Sequence, residues 1–374
     1  MKRVLVAMSG GVDSSVAAYL LKKQGYECVG ATMKLYENEI VGQKRTNTCC
    51  SLDDIEDARS VAHRIGIPYH VFNFTADFEE QVIRRFVAAY EAGATPNPCI
   101  DCNRYLKFER LFRRAQELDC DFVATGHYAR IEFQKASGRY LLKKGLDGGK
   151  DQSYVLYSMT QEQLAHTLFP LGELNKADVR KIAEEQGLVN AHKHDSQDIC
   201  FVPDGDYSAF IERYTGKAYP KGAFLGADGK ILGEHQGLIR YTIGQRKGLG
   251  ISAEKPLYVR GKSVRENTVT LGGNEELYSS SLVADGFNLI AYQTLSAPAR
   301  VTARVRYRQK EQAAVVTPLD GGKVMVNFEK PQRAVAPGQA IVFYSGDIVV
   351  GGATICSDGS ARGDRKETAD LQRL

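Results

Sequence analysis

Along the first two hundred residues of this 374-residue chain, buried-strand runs alternate with helical spacings of apolar positions. Arg3 to Met8 reads as a buried strand, and Val12, Val16, Leu20 and Leu21 mark one face of a helix that Gly25 ends. Cys28 to Met33 is the next strand. Ser51 followed by Asp54 has the form of a capping box for a helix running to Gly66, and Pro68 to Phe74 returns as a strand. Helical patterns at Phe78 to Glu91 and Asn103 to Leu118 precede a strand-like run from Asp121 to His127, and Thr160 and Asn175 are placed to cap two further helices. This alternation predicts an α/β fold, a doubly wound parallel sheet with helices on both faces.

Beyond about Asp206 the texture changes to Gly, Tyr and short alternating runs, among them TVTLGG, RVTARVRYRQ, KVMVNFE and AIVFYSGDIVVGGATI. Their spacing is that of a small antiparallel barrel or sandwich. The expected domains are therefore 1–206, a small central connecting domain at 207–280, and a C-terminal antiparallel β-barrel at 281–374 whose polar tail frays. A hydrophobic content of 43% over this length fits two or three cores rather than one.

The short apolar run in MKRVLVAMSGGVDSS is broken by Gly10, Gly11 and Asp13, so neither a signal peptide nor a membrane anchor is expected, and the protein reads as cytoplasmic with no membrane partner. Eight cysteines without a leader fit reduced thiols better than a disulfide framework. A formal net charge of +4 is too small to imply a polyanionic partner, so any case for nucleic acid rests on local charge. Such a case exists in ARVTARVRYRQK, where Arg300, Thr302, Arg304, Arg306 and Arg308 share one parity and Val301, Ala303, Val305 and Tyr307 the other. Read as one strand, it presents a cationic face suited to a phosphate backbone; a solvated strand face is the alternative.

SGGVDSS, Ser9 to Ser15, lies between the first strand and the first helix. Two glycines admit a phosphate to the backbone, the hydroxyls of Ser9, Ser14 and Ser15 are placed to donate to it, and the helix start adds partial positive charge. The loop lacks the Gly-Lys-Ser/Thr ending of a Walker loop, and Asp13 points instead to a magnesium ion on a pyrophosphate. It resembles the pyrophosphate (PP) loop of the ATP pyrophosphatases, which implies ATP cleaved between its α and β phosphates and adenylation of an oxygen.

TPNPCIDCNR, Thr95 to Arg104, spaces two cysteines as a metal clasp, a redox pair or a presented nucleophile would. Zinc lacks an evident fourth ligand, an iron-sulfur cluster on Cys99, Cys102 and Cys200 is a live reading, and the thioredoxin-like context of a redox pair is absent. Nucleophile presentation is favoured: Cys102 is expected at a helix start near Arg104 and Lys107, and Cys200 beside His192, His194 and Asp195. Cys28, Cys120 and Cys356 read as packing residues, as do the isolated His63, His70, His166 and His235, some of them at the surface; Cys49 and Cys50 have no assignment.

TPNPCIDCNRYLKF, ATGHYAR, GKDQSYVL, SQDICF, GLIRYTIGQRKGLGI and VRYRQ occur in one order. Together they resemble the bacterial tRNA-specific 2-thiouridylases, from the amino terminus to about Gly352. The resemblance implies a tRNA-uridine 2-sulfurtransferase that adenylates the wobble uridine of tRNA and replaces its oxygen with sulfur from a persulfide. It implies ATP at Ala7, Met8, Ser9, Gly10, Gly11, Val12, Asp13, Ser14, Met33 and Gly126, and the target base at Asn97, Pro98 and Cys99. It places tRNA at His127, Lys150, Asp151, Gln152, Arg306, Tyr307 and Gln339, with Cys102 as nucleophile, Cys200 as persulfide carrier, and a cysteine desulfurase or sulfur-relay protein as donor. Some members carry aspartate where Cys99 stands, so the acid-base role stays open; Asp101 is nearby in a different register. An ammonia-using ligase would share SGGVDSS without needing paired thiols, and a noncatalytic tRNA-binding protein would keep the arginines without the chemistry.

Overall fold

The structure, a computed structural model, describes residues 1–37, 52–193 and 199–357. The Ser51 cap, Cys49, Cys50, His194, Asp195 and the tail from 358 onward lie outside the described residues.

The elements of the first two hundred residues follow the expected alternation, with additions. In order they are β1 (Arg3–Ala7), α1 (Val12–Lys23), β2 (Glu27–Lys34), α2 (Leu52–Ile65), β3 (Tyr69–Asn73), α3 (residues 75–91), α4 (residues 98–117) and β4 (Phe122–Ala124). Then come the hairpin β5 (Ala129–Gln134) and β6 (Arg139–Lys144), α5 (Gln161–Ala165), β7 (Thr167–Leu168) and α6 (Lys176–Glu185). The parallel sheet runs β3-β2-β1-β4-β7. Leu5 faces one hydrophobic core while Val4 and Val6 face the other, the alternation of a strand covered on both sides. Thr160 and Asn175 are caps as expected, Thr160 in a reciprocal box with Gln163.

α4 begins five residues before the expected Asn103. Its start is marked by Asn97, whose side chain accepts the Cys99 N–H, and by Pro98 in the first turn. Both α3 and α4 contain π-wound stretches, Glu79–Ile83 and Cys102–Arg110. The strand expected to reach His127 stops at Ala124.

After α7 (Tyr207–Thr215) come β8 (Gly222–Leu225), β9 (Ile231–His235), β10 (Tyr258–Ser263) and β11 (Thr268–Gly272), a four-stranded sheet with its own core around Phe224, Tyr241 and Val259. The last six strands are β12 (Tyr278–Leu289), β13 (Ala299–Arg304), β14 (Gln312–Pro318), β15 (Val324–Arg333), β16 (Ala340–Ser345) and β17 (Ile348–Ile355). They pair antiparallel in the order β12-β15-β14-β13-β16-β17, and β12 pairs with β17 to close the barrel. The β5–β6 hairpin pairs with β17 from outside, joining the N-terminal segment to the barrel sheet. Among the described residues no helix is long and apolar enough to cross a membrane.

An aromatic cluster fixes the segment that carries Cys200. Phe201 is 1% exposed and meets Phe86 at 5.2 Å and Phe78 at 5.6 Å edge-on, and Phe210 at 5.1 Å. Phe201→Ala is expected to remove roughly 3–5 kcal/mol of unfolding free energy in urea titrations. A loss under about 1 kcal/mol would mean that this cluster does not hold the segment.

Candidate active site

The loop at residues 9–15 is shaped from behind by its own backbone constraints. Gly10 has φ +73°, and a Cβ there would lie 2.3 Å from the Asp54 carbonyl, so only glycine fits. Its carbonyl accepts from Asn190 Nδ2 at 2.9 Å and Lys193 Nζ at 3.3 Å. Lys193 also holds Asp54 and Asp57, each at 2.6 Å. Ser14 Oγ accepts the Ser9 N–H at 3.1 Å and donates to the Gly11 carbonyl at 3.0 Å. Ser15 departs from its expected phosphate role: it is fully buried, donates to the Gly11 carbonyl and accepts from Asn190. On the opposite side, a Cβ at Gly126 would sit 2.8 Å from the Asp13 and Ser14 backbone, which presses the segment after β4 against the loop.

The thiols approach the same space from α4 and from the Cys200 segment. Cys102 lies a turn inside α4, so the helix-start field expected to support it falls on Cys99, whose N–H is capped by Asn97 at 3.2 Å. Lys107 lies five residues on from Cys102 in the same π-wound stretch. Arg104 instead stacks 5.2 Å from the Tyr105 ring. Cys99 is exposed, whereas Cys102 and Cys200 are half-buried. The Cys200 carbonyl accepts the Tyr36 hydroxyl at 3.0 Å.

Loop and thiols enclose one cavity of about 340 Å³. Of the residues expected to meet ATP, Ala7, Met8, Ser9, Asp13, Ser14, Met33 and Gly126 line it; Gly10, Gly11 and Val12 do not. Cys99, Cys102 and Cys200 line it, with Pro98, Lys107, His127 and Gln152. Asn97, Asp101, Lys150, Asp151, Arg306, Tyr307 and Gln339 lie outside the lining. His127 is buried against Phe108 and Phe169, with Nδ1 2.6 Å from Thr125 Oγ1. Burial, helped by Lys107, holds its pKa well below the usual histidine range. Burial raises the Asp101 carboxyl against the opposing pull of Arg85, 3.7 Å away. Burial also pushes the Cys28 thiol up to about 11 and raises Cys120, as inert packing thiols require.

The expected alternation holds along β13, with Arg300, Thr302 and Arg304 opposite the buried Val301 and Ala303, but the cationic face does not continue to Arg306 and Arg308. β13 ends at Arg304, so the alternation of residues 305–309 is not strand geometry. Arg304 binds Glu311 at 2.8 Å and Asp151 at 3.5 Å, and Arg306 donates to the carbonyls of Ile243 and Ala334 at 3.0 and 3.1 Å. Of the four arginines of that parity, Arg300 and Arg308 are exposed, and Arg304 and Arg306 are half-buried. The Asp151 carboxylate is buried on Gly145 N–H, Ser153 N–H and Ser153 Oγ, while its carbonyl accepts the Tyr307 hydroxyl. Gln339 donates to the carbonyls of Thr95 at 2.7 Å and Pro96 at 3.4 Å, fastening the barrel to the loop that introduces α4. Lys176 and Tyr128 had no assignment from sequence, yet both bind Asp13, at 2.7 Å for the Tyr128 hydroxyl and 2.7 and 2.8 Å for the Lys176 ammonium. No local motif marks them; the helix cap at Asn175 is the nearest signal for Lys176.

Two outcomes follow from these geometries. Arg304→Met removes the guanidinium between Asp151 and Glu311, which keep Gly145, Ser153, Lys144 and Thr302 as partners, and is expected to cost roughly 1–3 kcal/mol in urea unfolding, against almost nothing for Arg308→Met. A buried neutral His127 opposes protonation that the unfolded chain accepts near the ordinary value of 6.5, so stability should fall as pH drops below it. His127→Phe should flatten that decline; an unchanged slope would mean that other groups cause it.

Comparison with known proteins places the chain. A family model described as the tRNA methyl transferase HUP domain matches residues 2–204, the corresponding PRC-barrel domain matches 208–273, and an aminomethyltransferase beta-barrel domain matches 279–355. The tRNA-specific 2-thiouridylase MnmA 1 of Thermoanaerobacter sp. (strain X514) is 52% identical over 94% of this chain and 97% of its own. The tRNA-specific 2-thiouridylase MnmA of Clostridioides difficile (strain 630) is 49% identical over 95% of this chain and 98% of its own, and that of Acetivibrio thermocellus 52% over 95% and 99%. The words methyl transferase belong to the descriptions of the domain models, while these full-length relatives carry the thiouridylase name. At such identity and coverage, the chain belongs to the tRNA-specific 2-thiouridylase family.

Proposed function

We propose that this protein uses ATP to adenylate the C2 oxygen of the wobble uridine of tRNA and then replaces that oxygen with persulfide sulfur, giving 2-thiouridine, AMP and pyrophosphate. The observation that carries the reading is the shared cavity, with the phosphate loop on one wall and Cys99, Cys102 and Cys200 on the other. Oxide is a poor leaving group, whereas adenylation turns the same oxygen into part of AMP. The persulfide on Cys200 attacks C2 through its outer sulfur and displaces AMP. The Cys102 thiolate then attacks the inner sulfur, which releases thiouridine and leaves a Cys102–Cys200 disulfide. A thiol reductant and a sulfur donor, either a cysteine desulfurase or a relay protein, restore the persulfide.

His127, held neutral, and Gln152 line the same cavity as the loop and the thiols and would meet the base there. Tyr307 donates to the Asp151 carbonyl and Gln339 to the Thr95 and Pro96 carbonyls, so these three of the other expected tRNA residues join the barrel to segments that border the cavity. Asp151 and Gln339 act there by fixing backbone.

Asp13 is the one carboxylate lining the cavity, beside the Ser9 and Ser14 hydroxyls, but both of its oxygens already accept from Lys176 and one also from Tyr128, so a magnesium ion would compete with Lys176 for that carboxylate. Asp13 would hold it, and it would supply charge for the pyrophosphate. An iron-sulfur cluster fits less well, because among the described residues no three His, Cys, Asp or Glu side chains converge as a ligand set.

ATP turnover should give AMP and pyrophosphate, at an appreciable rate only with tRNA present; ADP and inorganic phosphate as main products would refute the assignment. Asp13→Ala should abolish it with tRNA binding retained. Cys200→Ser is expected to remove persulfide loading and thiolation, and Cys102→Ser to stop turnover, with adenylation intact in both. Anaerobic protein carrying stoichiometric iron that Cys99→Ala removes together with activity would favour the cluster instead.

A further inference from the structure

The loop at residues 9–15 contains no lysine, yet a lysine reaches it from 163 residues away in the chain. Lys176 Nζ lies 2.7 and 2.8 Å from the two carboxylate oxygens of Asp13, with its side chain only 12% exposed. The ammonium also sits 6.0 Å from the centre of the Tyr128 ring, whose hydroxyl donates to Asp13 at 2.7 Å. Its backbone is placed independently of this contact. Lys176 opens α6 directly after the Asn175 cap, and its N–H donates to Asp147 Oδ2 at 3.0 Å.

Charge makes this arrangement informative. Asp13 lines the cavity in the first turn of α1, where its negative charge opposes the attraction that the helix start offers a polyphosphate. Lys176 itself is outside the cavity lining, and its ammonium offsets that charge through both carboxylate oxygens of Asp13. It is carried on a flexible four-carbon stem and has three donors, so it can bridge the carboxylate and an anion seated against Asp13 and Ser14. A tie between α6 and α1 for folding alone would not require the carboxylate to stand on the cavity wall.

We propose that Lys176 is the phosphate-binding cation of this loop, supplying from α6 the charge that a Walker loop supplies from its own lysine. The inference rests on the ATP reading above. When the uridine oxygen bonds to the α phosphorus, the bond from that phosphorus to the bridging oxygen breaks. Pyrophosphate leaves with the electron pair, and Lys176 offsets the charge that grows on it.

The test is equilibrium binding of pyrophosphate, ATP and adenosine to the full chain by calorimetry, with and without magnesium. Lys176→Met is expected to weaken pyrophosphate binding about tenfold or more, Lys176→Arg to recover most of it, and adenosine affinity to stay within about twofold of the parent. Lys176→Gln, which keeps a donor to Asp13 without charge, should behave like the Met variant and serves if that variant does not fold. In an Asp13→Asn background, Lys176→Met should still weaken pyrophosphate binding. No further loss in that background would show that Lys176 acts only through Asp13, and undiminished pyrophosphate binding in the single variants would likewise overturn the proposal. A parent protein that binds neither ATP nor pyrophosphate would defeat the ATP reading and this inference with it; binding by the parent that Lys176 does not influence defeats the inference alone.

Discussion

The thiol side of the cavity depends on a backbone junction between segments more than two hundred residues apart. The Thr95 N–H donates to the Pro337 carbonyl at 2.8 Å, and Gln339 returns a hydrogen bond to the Thr95 carbonyl at 2.7 Å. At Gly338, with φ +83°, a Cβ would lie 2.9 Å from Ala94, so the barrel can approach this closely only with glycine there. The junction sets where Asn97 and Pro98 begin α4, and hence where Cys99 and Cys102 meet the cavity. The barrel is thus a buttress for the loop that leads into these cysteines.

The buried charges near this junction serve the same end. Asp151, Arg304, Glu311 and Lys144 form a chain of ion pairs, with Lys144 2.6 Å from Glu311. Every member has a partner, which is what makes charges this deep tolerable. The chain ties the 145–153 segment, including Gln152 at the cavity, to β13 and the barrel. Two of the arginines that look like a free cationic stripe, Arg304 and Arg306, are structural cations, and Arg300 and Arg308 keep exposed charge.

Local signals made much of the fold legible. The Thr160 and Asn175 caps, the two-sided burial of β1 and the alternation of the barrel strands each follow from a few neighbouring residues. The cavity walls were legible for a similar reason, since SGGVDSS and the cysteine segment are short motifs with strong chemistry. What local pattern does not encode is contact across sequence. The parity of residues 300–308 continues past the end of β13 because periodicity cannot register that Arg304 meets Asp151 and Glu311. The π winding of residues 102–110 has no distinctive residue type, and Lys176 reaches Asp13 only because α6 packs beside α1. The β5–β6 hairpin is a further case, since its register to β17 rests on a single strand pair, Lys143 with Ile348.

The central claim is that Cys200 and Cys102 act in sequence within the cavity that the phosphate loop closes. A single turnover tests it most directly: persulfide-loaded protein is mixed with ATP and unmodified tRNA in the absence of reductant, quenched in acid, and both protein and RNA are digested for mass analysis. The account predicts a Cys102–Cys200 disulfide appearing in step with thiolated uridine, one for one. Thiolated uridine formed with both cysteines still unlinked would contradict it.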